Sequence, residues 1–145
     1  MNKLLGVIFL TLMSSISFAQ VGDSPIGTWQ TVDEEGQKKA LVQISQDPNG
    51  NLRGRILKLQ QKPGALCVKC EGDKKDKPIE GMSIMWGLKK AQENNKWEDG
   101  AILDPSNGKT YNLKAELIEN GQKFKLRGFL GISLLGRTQV WTRVQ

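Results

Sequence analysis

The chain contains no histidine. That removes serine–histidine–aspartate and cysteine–histidine catalysis in their usual forms. It removes histidine metal sites as well. Haem attachment through Cys-x-x-Cys-His is excluded because Glu71 follows Cys70. Cysteine is scarce: Cys67 and Cys70 are the only two, and two thiolates without histidine make a poor zinc site. Beyond the first 19 residues no apolar run is long enough to span a bilayer. No long helical periodicity appears either, so a helical bundle is excluded.

What is present begins with a leader. Lys3 gives a short positive start, and residues 4–13 are nearly all apolar yet too few for a membrane span. Ser17 and Ala19 then supply small residues at the spacing a signal peptidase needs. Cleavage is expected after Ala19. Residues 1–19 are then a signal peptide, and residues 20–145 form a single β-barrel domain in a periplasmic or secreted chain. That length supports one core without metal or several disulfides.

The formal charge is +6, or +5 once Lys3 is removed. Basic residues are spread along the chain, apart from Lys74-Lys75-Asp76-Lys77. A basic surface attracts anionic lipid, nucleic acid or acidic polymers. Sheets that bind nucleic acid interleave exposed aromatics with basic residues. Here most aromatics fall on faces that read as buried. The balance argues against nucleic acid, keeps a membrane surface open as a partner, and leaves any protein partner undefined.

Period-two patterning dominates. Residues 28–32 read as a first strand, with Asp33-Glu34-Glu35-Gly36 as its turn. Ala40, Val42 and Ile44 mark a second strand and residues 52–59 a third. In the third, Ile56 and Leu57 cannot both face the core without a bulge. Met82, Ile84, Trp86 and Leu88 alternate as a fourth, and residues 96–103 form a fifth. Tyr111, Leu113, Ala115 and Leu117 make the cleanest half-buried strand. Phe124, Leu126, Gly128 and Leu130 mark a seventh, and residues 138–144 the eighth. Asp47-Pro48-Asn49-Gly50, Asp104-Pro105-Ser106-Asn107-Gly108 and Asn120-Gly121 are strong turn signals. Only residues 60–81, which carry both cysteines, form a long connection, and loops of this length are usually functional or disordered.

Eight strands joined mainly by short turns predict an all-β, antiparallel up-and-down barrel, because closure removes the exposed edges of an open sheet. The interior of such a barrel holds side chains or one small ligand. First and last strands become neighbours, which brings Trp29 beside Trp141 and Arg143. An arginine over an indole there would plug one end.

Gly27-Thr28-Trp29 with an arginine on the final strand resembles the calycin pattern of lipocalins. A longer series occurs in order: Gly27-Thr28-Trp29, Cys67-Val68-Lys69-Cys70, Pro78-Ile79-Glu80-Gly81-Met82, Gly100 to Pro105, Asn107-Gly108-Lys109-Thr110-Tyr111, and Leu126-Arg127-Gly128 through Trp141-Thr142-Arg143. It resembles the exported bacterial family known as domain of unknown function 2147. The resemblance implies an envelope protein with a lipocalin-like, calycin-type barrel. It brings no established activity, cofactor or catalytic residues.

Several side chains invite a role. Cys67 and Cys70 suit a local disulfide in an exported protein; a redox pair would need a lowered thiol pKa, to which Lys69 could contribute. Asp104 and Glu116 could be imagined as an acid–base pair, but Asp104 reads as a turn residue and Glu116 as the polar face of its strand. Tyr111 could donate to a ligand, and Met82, Met85 and Trp86 could line an apolar pocket. Arg127 and Arg137 are either a solvated outer face or an inward grip on a carboxylate or phosphate. Leu130, Ile132, Leu134 and Leu135 form a lid, an apolar patch or part of the core. The reading is noncatalytic binding of a small, partly apolar or amphiphilic molecule, with Trp86, Tyr111, Arg127 and Arg137 as ligand contacts. The alternative is an envelope-maintenance or interaction protein with a filled barrel, which binds a protein or membrane through its basic surface and apolar tip.

Overall fold

The computed structural model describes residues 24–132 and 135–144. The leader, its cleavage point and Leu134 lie outside the described residues. Eight strands follow one another: β1 (Gly27–Val32), β2 (Lys38–Gln46), β3 (Leu52–Leu59), β4 (Ser83–Lys90), β5 (Lys96–Asp104), β6 (Lys109–Ile118), β7 (Lys123–Phe129) and β8 (Gly136–Arg143). Each pairs antiparallel with its neighbours in sequence, and β1 pairs with β8 through Trp29–Arg143 and Gln30–Thr142. The sheet is therefore the closed eight-stranded barrel that the patterning predicts.

Aspartates set three of its turns. The Asp33 carboxylate accepts the backbone N–H of Glu35 and Gln37, and that of Asp47 accepts Asn49 and Asn51. Asp104 accepts both the N–H and the hydroxyl of Ser106. Short acceptors of this kind hold the chain in a turn where the ladder stops.

Two strands change phase, and both changes decide what lies inside. The β2–β3 register shifts between Leu41 and Val42, which partner Lys58 and Ile56. Leu57 is the extra residue and stays exposed, while Ile56 and Leu59 are buried. Ile56 and Leu57 therefore do not share the core; the bulge instead brings Ile56 and Leu59, which differ in phase, to the same inner face. On β4 the register against β3 breaks between Met85 and Ser83. Ile84 and Met85 are both buried in consequence, and Trp86 turns outward, 38% exposed. Strict alternation would have placed Trp86 inside; the register break puts Met85 there instead.

One end of the barrel is closed by aromatics. Trp29, Phe124, Trp97 and Trp141 are all buried. The ring of Phe124 lies 5.4 Å from Trp29 and 5.9 Å, edge-on, from Trp97. A cation covers two of the three tryptophans: Arg143 stands 4.4 Å from the centre of Trp29, and Lys90 4.7 Å from Trp97. The plug of Trp29 and Arg143 is present. Lys90 and Trp97 extend it, a contribution that sequence reasoning missed.

Candidate functional site at the open mouth

The other end receives the β1–β2, β3–β4, β5–β6 and β7–β8 connections, and a cavity of about 750 Å³ opens there. That volume falls within the range of about 300–1,000 Å³ typical of small-molecule sites. Its depth is apolar, lined by Val42, Ile56, Ile84, Leu113, Leu126 and Trp141. Higher up come Thr31, Tyr111 and Gln139, and the rim carries Asp33, Lys39, Lys62, Lys69, Asp104 and Arg137.

The β7–β8 register explains which β8 residues enter. Phe124 partners Trp141, Leu126 partners Gln139, and Gly128 partners Arg137. Directly opposed residues share a face, so Arg137, Gln139 and Trp141 all point inward with the apolar set of β7. Arg127 partners Thr138, its guanidinium lies 3.2 Å from that hydroxyl, and both face outward.

Of the four residues expected at a ligand, the structure therefore brings together Tyr111 and Arg137. Trp86 and Arg127 sit on the outer wall, with Trp86 under the ammonium of Lys74 at 5.4 Å. Asp104 and Glu116 are also apart. Glu116 pairs with Lys125 on the outside at 3.2 Å.

Arg137 does more than line the rim. It donates to Glu34 at 3.0 Å and to Asp104 at 3.2 Å. It thus ties the start of β8 to the β1–β2 and β5–β6 turns. The Glu34 contact is well exposed and worth little, whereas the Asp104 carboxylate is only 16% exposed and makes the stronger partner. Tyr111 accepts a hydrogen bond from the Asn107 amide at 2.8 Å. Its hydroxyl proton stays available to donate. Gln139 accepts from the Trp141 indole at 3.1 Å, leaving its NH2 as a donor within the cavity wall.

The long connection folds over this end as a partial lid. Gln61, Lys62, Ala65, Leu66, Val68, Lys69 and Ile79 all line the cavity. The loop is internally tied by a Leu66–Pro78 bridge, an Ile79 N–H to Ala65 carbonyl bond and the Cys67–Cys70 disulfide. Both cysteines are buried, with Cys67 Sγ 3.5 Å from the Pro105 carbonyl. That burial suits a local staple rather than an exchanging redox pair. The lid rests on the β5–β6 turn at Gly108, where a Cβ would lie 1.8 Å from the Lys69 carbonyl oxygen. Only glycine fits that approach, and its φ of +73° is a second reason for glycine.

Two further contacts hold the lid's ends. Leu59 N–H donates to Glu80 at 2.9 Å, and the Gln61 amide donates to Asp33 at 2.7 Å. The Gln61 bond, with the backbone N–H of Gln37 and Glu35, holds the Asp33 pKa below its ordinary value of 3.8. Leu130, Ile132 and Leu135 project from the same end and are exposed, so they do not fold into the core. Among the described residues no cluster of acidic or cysteine side chains is arranged to hold a metal ion.

The family model described as an uncharacterized protein conserved in bacteria, DUF2147, matches residues 27–143. The chain belongs to this family. That match spans every strand and the lid, so the cavity lies within the DUF2147 unit. No curated protein sequence matches the chain. Among solved structures, this DUF2147 chain is similar to protein HP1028 from the human pathogen Helicobacter pylori, described as belonging to the lipocalin family. The TM-score is 0.73, with 17% identity, over 84% of each chain. Likeness at that identity concerns the fold, which is lipocalin-like.

The expectations for Tyr111 and Arg137 came from residue type. Lys39, Lys62, Lys69, Asp33 and Gln139 were missed. Gln139 had a readable signal, since it alternates in phase with Trp141. Lys62 and Lys69 had none, because a loop residue acquires its neighbours only when the lid folds back, and Lys39 lies on β2 out of phase with the inward Ala40 and Val42.

Proposed function

We propose that the protein is a noncatalytic carrier, exported to the periplasm, that holds a small and partly apolar molecule inside its barrel. The observation that carries this reading is the cavity of about 750 Å³, apolar in depth and ringed by polar groups at one end. A barrel of eight strands could have been filled by its own side chains. Outward rotation of Trp86 and the absence of a side chain at Gly128 both keep space within it. The leader read from residues 1–19 supports export, and the lipocalin-like fold supports small-ligand binding.

Native mass spectrometry of the protein taken from its own periplasm tests the reading. A chain beginning at Gln20 with a co-purifying small molecule is expected. A chain that retains residues 1–19, or one that carries only a protein partner, would overturn it. The latter would favour the interaction role, for which the exposed tip at Leu130, Ile132 and Leu135 supplies a surface.

A further inference from the structure

Of the four cations that line the cavity, one is paired and three are not, with the carboxylates of Asp33 and Asp104 on the same rim. Arg137 is already neutralised by Glu34 and Asp104. Lys39, Lys62 and Lys69 line the same cavity, and among the described residues none of the three has an ion-pair partner. Unpaired cations at the mouth of a low-dielectric cavity focus its field and raise the local concentration of anions.

Their backbone is tied down, with the Lys39 carbonyl accepting from Gln60 and the Lys62 carbonyl from Ala65, while Lys62 and Lys69 themselves are exposed. Lys39 is half-buried on β2. Lys69 lies between the disulfide cysteines, with its carbonyl seated on Gly108. Lys62 adopts φ 49°, in the left-handed region. Of the other five non-glycine residues at positive φ, four are Asp or Asn, which tolerate that conformation better than lysine. Lys62 at this position places a long cationic side chain at the cavity mouth.

We infer that the ligand is an amphiphile with a single apolar body and a compact anionic head, and that Lys39, Lys62 and Lys69 receive the head while the body occupies the barrel. This rests on the reading of the cavity as a ligand site. It also moves the head-group contact away from Arg137, which acts as a latch between turns. Carboxylate, sulfate and phosphate heads share the required chemistry. Lysine meets any of them as a point charge without the planar fork of arginine.

Calorimetry on the mature protein with twelve-carbon probes below their micelle concentrations tests this. The probes are dodecyl phosphate, neutral dodecyl maltoside and dodecyltrimethylammonium, with inorganic phosphate alone as a fourth. Dodecyl phosphate should bind at least about tenfold tighter than the maltoside, about 1.4 kcal/mol, and the advantage should shrink at high salt. The triple variant Lys39→Gln, Lys62→Gln, Lys69→Gln should bring the two within about twofold, while leaving maltoside binding in place. A triple variant of outer-wall lysines, Lys89→Gln, Lys114→Gln, Lys123→Gln, should keep the preference. Equal binding of phosphate and maltoside probes, or equal loss in both triple variants, would overturn the head-group assignment and leave the cavity reading standing. Inorganic phosphate binding as tightly as dodecyl phosphate would overturn the amphiphile. If none of the twelve-carbon probes binds, the cavity reading fails and this inference with it.

Discussion

Arg143 covers Trp29: its guanidinium stands 4.4 Å from the ring centre and donates to the carbonyls of Ser24, Ile26 and Gly121. One side chain thus joins the start of β1, the end of β8 and the β6–β7 turn. Burial lowers the pKa of Arg143 from its ordinary value, but an arginine stays charged under ordinary conditions. Arg143→Met keeps much of the stem and loses the cation–π contact and the three donor bonds. It should cost about 2 kcal/mol. Trp29→Ala, which empties the plug, should cost about 3–5 kcal/mol. Urea unfolding with an unchanged m-value would check both. Because the plug lies at the far end from the mouth, Arg143→Met should leave ligand affinity unchanged. A variant that loses affinity more than stability would contradict that separation.

Gly108 and Gly50 provide a matched pair for the lid. Both have positive φ, +73° and +83°, but a Cβ at Gly50 meets nothing within 4 Å. Gly50→Ala should therefore show only the backbone cost of about 1 kcal/mol. Gly108→Ala adds a collision with the Lys69 carbonyl, so the lid must lift. Amide exchange across residues 65–79 should accelerate in Gly108→Ala and stay unchanged in Gly50→Ala. Equal exchange in the two variants would show that the lid does not rest on this turn.

The barrel was legible because its signals are local. Alternation from Tyr111 to Leu117, and aspartates at the turns, act over a few residues. Closure of Trp29 against Arg143 followed from counting strands. The site was less legible because it depends on phase and on folding back. Trp86 continues the alternation of Met82 and Ile84 in sequence, yet one register break sends it outward. Arg127 and Arg137 look equivalent around their glycines, and only the β7–β8 pairing tells inside from outside. Asp104 is the turn residue that its local sequence indicates. Its second role as the partner of Arg137 spans 33 residues and no local pattern encodes it.

Gly128 measures whether the cavity is used. It faces inward beside Tyr111, and a Cβ there would meet Tyr111 Cβ at 3.4 Å, an ordinary contact. Gly128→Leu should therefore fold and place its extra methyl groups in the cavity, at an overpacking cost of about 1–3 kcal/mol. Affinity for the twelve-carbon probes should fall by about tenfold or more. A folded Gly128→Leu protein with full affinity would place the ligand elsewhere.

Asp33 makes the lid sensitive to acid. The Gln61 amide and the N–H groups of Gln37 and Glu35 favour its ionised form, so its folded pKa lies below 3.8. A depressed carboxylate binds fewer protons in the folded state than in the unfolded one. Its contribution is therefore fully present above 3.8 and is lost as pH falls through the lower, folded value. Asp33→Asn keeps an acceptor for the turn but cannot titrate. Exchange at the lid's first residues, followed from pH 7 to pH 2.5, should differ between wild type and Asp33→Asn by a constant amount down to about pH 4.5. Below that the two should converge, as the Gln61 bond loses its charged acceptor in the wild type. Convergence at a pH above 5 would assign the transition to another group, because no carboxylate with a lowered pKa titrates there.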